Sequence, residues 1–499
     1  MKITEKDVSR CYETLKKEAS KAIRKNQINK GLHIVNRAAF WMYKFNARYS
    51  DEELDLLLKC VSNQLLGEKI IQAKNDGSLR VSFIDSFCFD NRCLTEQYLA
   101  GLSAAGVRLQ YICTSVENEI GENIKNFLED MDAEIVRIPC RGDVASGATR
   151  IVDAISKLQP SKVFFQIYPW DVIPIVAGYA LKGVQKYNIN LTDHAYWLGS
   201  GLFDYNYEFR GYGELVSLQK RGFKPSQIIR MPYYPITHKN GAFYGFPKLP
   251  EDPIIIICGG AEYKFLGHND MFFCIMETLL DISPKVVILV AGVNDKSVFS
   301  AKVKNLKNSD RVFNIGFRRD INEVFKHSDI FLNSYPISGG LMTQYAGINA
   351  LPLVALKNPD TSDIIDGVIN QKCQGARSLH SLEELNEYAT KLILDIEFRK
   401  SEGLRANQSM ITKEEFNQYL KHSLDGSLNS EISWPLSQPN YYGIRKCYID
   451  NENNGTHSAD WILIGALRLR AFLVFPSRFF SFTSKAVSYA LMKFKGEVK

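Results

Sequence analysis

Between Arg80 and Val354 the sequence alternates short apolar runs with longer amphipathic stretches, and a proline-rich passage cuts the alternation into two series. The first series is RVSFID, VRLQYICT, AEIVRIP, KVFFQIY and YNINLTD; the second is PIIIICGG, KVVILVAG, RVFNIGF, DIFLNS and LPLVAL. Near-continuous apolar runs separated by helix-length segments are the mark of parallel strands buried on both faces by helical crossovers. Between the series, Pro232, Pro235, Pro247, Pro250 and Pro253 with Gly241 and Gly245 suit an interdomain linker. The expected fold is therefore α/β, with two doubly wound Rossmann-like domains facing a cleft. Residues 76–245 form the first and 246–425 the second. A helical extension precedes them over 1–75, where mixed-charge stretches show no strand signal, and 426–499 form a linker and a basic amphipathic tail. In open parallel sheets ligands sit beyond the carboxyl ends of the strands, so the chemistry belongs in the cleft.

At 499 residues and 45% hydrophobic content, the chain exceeds one ordinary core. Its ten cysteines lack paired metal spacing, Cys88 and Cys93 being the nearest approach to a motif, and read as reduced thiols of a cytoplasmic protein. The opening MKITEKDVSR has no apolar run that could act as a signal peptide. The net charge of +6 is local: residues 461–499 hold Arg468, Arg470, Arg478, Lys485, Lys493, Lys495 and Lys499 against only Glu497, which accounts for the whole excess. A balanced body argues against nucleic acid as a partner. In the tail, Arg468, Arg470 and Arg478 interrupt any membrane-spanning window. Beyond Pro476, Ser477, Arg478, Ser481, Ser484, Lys485 and Ser488 fall on one helical face, and Phe479, Phe480, Phe482, Val487 and Leu491 lie elsewhere. That pattern predicts docking on a membrane surface, with a core-packing helix as the alternative.

Two segments of the second series are suited to an anion. After the run Ile254 to Ile257 comes CGGAEYKF, where Gly259 and Gly260 permit close backbone approach and Lys264 offers a point charge. Farther on, DIFLNS leads into a Ser338, Gly339, Gly340 turn with a helix starting near Leu341, followed by the polar Thr343 and Gln344. A helix start at that point presents backbone N–H groups and the positive end of its dipole to the diphosphate of a nucleotide sugar. An ordinary packing turn, with Thr343 and Gln344 capping or solvating the helix, would use the same letters.

At these residues the chain resembles the GT-B glycosyltransferases. The nearest likeness is to the O-GlcNAc-transferase-like branch, with its strand, glycine turn, helix and Gly-x-Pro-x-Val segment, read here as Asn349, Ala350, Leu351, Pro352, Leu353 and Val354. The block TDHAYWLGSGLFDYNYEFRGYGELVSLQKRGF followed by MPYYP is similar to segments of bacterial surface-polysaccharide transferases. The resemblance covers about residues 160–425. It implies a hexosyl- or N-acetylhexosaminyl-transferase acting on a polysaccharide, lipid-linked or protein acceptor. It implies no cofactor beyond a nucleotide-sugar co-substrate, UDP-linked; the cysteines, the opening and the tail are what point to the cytoplasm and the inner face of the cell membrane. Gly340, Leu341, Met342 and Tyr345 stand where the family pattern has His, Thr and a ribose-binding Asp, so its ribose contact does not carry over. The Glu-x7-Glu pattern of retaining members is also missing, because no glutamate occurs between Lys326 and Val368, which favours inversion.

Inversion needs a general base beside the acceptor hydroxyl. Asp193 and His194 follow the apparent strand end YNINLT and are the candidates, with Tyr196, Trp197, Asp204, Glu208 and Arg210 as acceptor-binding groups; each could instead fix a loop. Asp130 and Asp132 form an Asp-x-Asp, but they close a helical stretch and read as a solvated helix end, so no metal is expected. A sugar-nucleotide epimerase and a catalytically silent binding or assembly subunit are the competing functions.

Overall fold

The structure, a computed structural model, describes residues 2–487 apart from 91–93, 117, 140–141, 238–241, 362–364, 427–431, 435, 437, 454–458, 479, 481 and 485–486. Three helices open the chain: Glu5–Arg24, Ile28–Phe45 and Glu52–Leu66. The first starts at a capping box between Thr4 and Asp7. Asp51 caps the third, and its carboxylate also accepts from Tyr12 and from Lys16 Nζ, both at 2.7 Å. Asp55 clamps this extension to the first domain by accepting from the backbone N–H groups of Gly199 and Gly201. A short parallel pair, β1 (Lys69–Ile70) with β6 (Leu181–Lys182), adds a second tie.

The first large sheet is built from β2 (Arg80–Asp85), β3 (Arg108–Cys113), β4 (Glu134–Arg137), β5 (Lys162–Gln166), β7 (Gln185–Ile189), β8 (Tyr205–Glu208) and β9 (Ile228–Arg230). Its order is β4-β3-β2-β5-β7-β8-β9, all parallel. Aromatic rings on one face continue across the strands, Phe83 on Phe164 and Phe164 on Tyr187, at centroid separations of 6.2 and 4.9 Å. The helix Lys413–Leu424, read from sequence with the second domain, packs on this first domain. Its Leu420 lies so close to Gly101 that any side chain there would collide, and Ser423 shares a 2.7 Å hydrogen bond with Tyr207.

The second sheet comprises β10 (Ile254–Gly259), β11 (Val286–Ala291), β12 (Val312–Gly316), β13 (Ile330–Leu332) and β14 (Leu353–Val354) in the parallel order β12-β11-β10-β13-β14. Both sheets start in the middle, run to one edge and return to the other side of the starting strand. Each therefore has a topological switch point, at β2/β5 and at β10/β13, where loops diverge and leave a crevice. The expected α/β architecture of two doubly wound sheets is the observed one. The halves meet where Gln344 Nε2 donates to Tyr233 O at 2.6 Å and where Gly367 presses on Arg210.

The C-terminal region departs from the expected interfacial helix. The helix Ala459–Leu467 buries Ile462 and Leu463 in the core shared with the helix Ile28–Phe45. Arg478, expected on a polar face, is buried and bidentate on Asp460 at 3.0 and 2.9 Å; Phe482, expected toward lipid, is fully buried. An ion pair sealed inside, with aromatic rings around it, makes this stretch part of the fold. Phe479, Ser481, Lys485, Ser488 and Leu491 lie outside the described residues, as do Lys493, Lys495, Glu497 and Lys499. Among the described residues no helix is long and apolar enough to cross a membrane.

Candidate active site

The switch point of the second sheet carries both anion-suited segments. At the end of β10, Gly260 donates to Ala291 O, and the chain turns through a 3-10 helix, Glu262–Lys264. At the end of β13, Asn333 Oδ1 accepts from the N–H groups of Ser334 and Gly339, which folds the loop back and starts the helix Gly340–Ile348. Among the described residues no side chain caps that helix. Lys264 Nζ reaches across to Ser338 O at 3.5 Å and lies 3.6 Å from where a side chain on Gly339 would begin. An ammonium group and an uncapped helix N-terminus thus converge. Among the described residues Lys264 has no ion-pair partner. Burial lowers its pKa to about 8. Two positive potentials held together without a counter-charge are unfavourable alone and favourable around an anion.

The other donor-side residues have more ordinary work. A side chain on Gly259 would meet Met342 and Ala291, so its smallness serves packing between strand and helix. Thr343 Oγ1 donates to Gly339 O at 2.6 Å and Gln344 Nε2 donates to Tyr233 O, and both side chains are fully buried, so these groups serve the packing of the helix start.

On the first domain the loop after β7 carries Asp193 and His194. Asp193 is buried at 1% exposure, with Arg210 Nε at 2.5 Å and Nη2 at 3.0 Å. Burial alone would raise its pKa, but the Arg210 charge and the His194 hydrogen bond hold it well below the usual carboxylate range. His194 Nδ1 lies 3.3 Å from Asp193 Oδ1, and its side chain is 26% exposed. Because the ionised carboxylate can only accept, the hydrogen of this bond sits on Nδ1, which leaves Nε2 as the ring nitrogen directed away from Asp193. Arg221 Nη2 donates to the carbonyls of Asp193 and Ala195 at 2.9 and 2.6 Å, fixing the loop from beneath.

The structure corrects the acceptor-binding set. Tyr196 and Trp197 are buried under the helical extension, and the Trp197 ring packs against Arg221 at 4.5 Å, so neither presents a face to a sugar. Asp204 precedes β8 and accepts from Lys186 N, at the end of the sheet opposite the cleft. Glu208 is fully buried, held by Asn190, Asn206 and Ser217, and burial pushes its pKa up to about 7. Arg210 is occupied by Asp193. Asp130 and Asp132 sit at the exposed end of the helix Glu122–Asp130.

One site element went unnoticed in the sequence. The helix Tyr441–Asn451 passes over the cleft: Tyr448 stacks on His194 with centroids 6.0 Å apart, and Asn451 Nδ2 donates to Tyr263 O beside Lys264. Its ring-rich stretch YYGIRKCYID is the only signal that could have marked it.

No family model and no curated protein matches the chain. Solved structures do. A mutant of Thermobaculum terrenum O-GlcNAc transferase superposes with a TM-score of 0.52 at 10% identity, covering 88% of this chain and 82% of that one. A Listeria monocytogenes protein named for UDP-N-acetylglucosamine 2-epimerase activity superposes at 0.50 with 13% identity, covering 71% of this chain and all of that one. The chain has the GT-B fold.

Proposed function

We propose that the chain is a glycosyltransferase, moving a hexosyl or N-acetylhexosaminyl unit from a UDP-linked donor to a hydroxyl of a polysaccharide, lipid-linked or protein acceptor. The observation that carries this reading is the convergence of Lys264 with the uncapped start of Gly340–Ile348 at a switch point. That is where a GT-B fold needs help for a departing diphosphate. In the proposed step His194 Nε2 takes the acceptor proton, the acceptor oxygen bonds to the anomeric carbon, and the bond to the diphosphate breaks with its electron pair leaving on phosphate oxygen. Asp193, ionised by Arg210, orients His194 and stabilises the imidazolium. The attack comes from the side opposite the leaving group, so the anomeric centre inverts. The diphosphate charge is met by Lys264 and the helix, and turnover is expected to persist in a chelator. The names of the two superposing proteins, one for O-GlcNAc transfer and one for a UDP-sugar epimerase, support a nucleotide-sugar substrate. We place the enzyme in the cytoplasm, at the inner face of the cell membrane.

The test is incubation of the purified protein with a panel of nucleotide sugars, with and without glycan acceptors. Acceptor-dependent nucleotide release supports the proposal. An epimer formed without acceptor assigns an epimerase, and binding without turnover assigns a silent subunit.

A further inference from the structure

A concavity lies between the helices of the N-terminal extension and the C-terminal segment, lined by none of the cleft residues described above. Its volume is about 710 Å³, and its lining includes Lys21, Lys25, Lys30, Arg468 and Arg470 against a single carboxylate, Glu18. Glu18 is already engaged by Arg470 Nη1 at 2.6 Å. Among the described residues Lys21, Lys25, Lys30 and Arg468 have no carboxylate partner. Lysines of the first two helices and arginines more than 400 positions farther along the chain have been brought to one basic groove.

Leu469, which lines the groove, belongs to a segment with further exposed apolar side chains. Leu469 and Leu473 are each 81% exposed and Phe480 is 84% exposed, although the same segment buries Leu467, Ala471, Phe475 and Phe482 completely or nearly so. Large apolar side chains held outward by a segment whose other side chains anchor it in the core form a fixed protrusion. A soluble acidic partner would satisfy the cations and leave the leucines idle. An anionic bilayer offers phosphates at the surface and hydrocarbon just below, one for the groove and one for the protrusion.

We propose that this face docks on an anionic bilayer, with lipid phosphates in the groove of Lys21, Lys25, Lys30 and Arg468 and with Leu469 and Leu473 entering the acyl boundary. The inference rests on the membrane placement proposed above. It relocates the contact from an autonomous amphipathic tail to a composite surface that exists only when both chain ends are folded together.

The experiment is co-sedimentation of the full chain with phosphatidylcholine vesicles and with vesicles containing phosphatidylglycerol. The wild type should pellet with the anionic vesicles and be released by salt. Lys21→Gln with Lys25→Gln should lower partitioning about 25-fold, since each neutralised charge near the surface counts for about fivefold. Leu469→Ser with Leu473→Ser should lower it about tenfold or more. All four side chains are exposed, and nucleotide-sugar binding should be unchanged in both variants, which also reports that they fold. Absence of wild-type binding to anionic vesicles at low salt overturns the membrane placement and this surface together. Wild-type binding that both variants retain overturns this surface alone. A dimer dissolved by the same substitutions, without vesicle binding, assigns the face to a second copy and also overturns the proposal.

Discussion

Lys264→Met tests the donor site through its pH dependence. With its pKa lowered to about 8 by burial, the wild-type ammonium is mostly charged at pH 7 and about one-tenth charged at pH 9. A bound diphosphate favours the charged form, so by linkage UDP affinity should fall about tenfold from pH 7 to pH 9. The diphosphate of UDP changes little over that range, since a phosphate's second pKa is about 6. Removing the ammonium should cost about 1.5 to 3 kcal/mol at pH 7, the value of a charge-assisted contact. That is about 10- to 150-fold in Kd, and the pH dependence should disappear with it. The ligand-free protein should respond differently. Because the folded pKa lies below the unfolded value of 10.5, wild-type stability should rise as pH rises from about 8 to 10.5, and Lys264→Met should be at least as stable as wild type at pH 7. Calorimetric titration with UDP at pH 7, 8 and 9 and constant ionic strength, with thermal unfolding of both proteins, reads every part. Equal UDP affinity in variant and wild type, or a flat pH profile in the wild type, refutes the assignment. A large loss of stability in the ligand-free variant would show that the lysine is structural.

Gly339→Val should fold, because its φ of −104° suits valine, and should weaken UDP binding about tenfold or more by placing methyl groups between Lys264 and the helix start; wild-type affinity would remove the turn from the site. His194→Ala should lower kcat about 10²- to 10⁴-fold with UDP affinity nearly unchanged. Asp193→Asn should impair turnover too, but with a stability loss of about 3 to 5 kcal/mol from the stranded Arg210, so it is compared on the folded fraction; near-normal rates in both variants exclude the pair. Glu208 has a folded pKa of about 7 against an ordinary 4.5, so its contribution to stability is full below about pH 4.5 and declines as pH rises through about 7. Glu208→Gln should flatten the melting-temperature profile over that window, and an unchanged profile would show that another group carries it.

The strands with apolar runs were legible in the sequence, as were the two donor segments, because a glycine turn, a lysine and a helix start are contiguous local patterns. Strand β8 was not legible. Its Asn206 and Glu208 are buried yet satisfied across the sheet by Asn188 and Asn190, so hydropathy gave no sign of a strand, and Asp204 and Glu208 were assigned to a cleft loop. Tyr196 and Trp197 read as sugar platforms because aromatic rings near a polar loop look alike whether they face a ligand or a neighbouring helix. The partners of Tyr196, among them Tyr12 and Asp51, lie more than 100 residues away in the extension, and the Trp197 ring is covered by Phe203, Arg221 and Phe223. The same holds for Tyr448, whose contact with His194 spans 254 positions. Short-range patterns expose backbone grammar; they do not reveal long-range partners.

The joining of the two chain ends has a consequence for biosynthesis. Ile3 exchanges hydrogen bonds with Asn453, at 2.7 and 2.9 Å, and the apolar face of Ile28–Phe45 is sealed by Ile462, Leu463 and Leu467. At about 5 to 20 residues per second, roughly 20 to 80 seconds separate synthesis of that face from synthesis of its cover. During translation the first helices therefore wait with apolar surface uncovered while both sheets form beneath them. Nascent chains stalled before Ala459 should recruit holding chaperones through the extension, and release of residues 459–499 should end that association at the moment the basic groove comes into being.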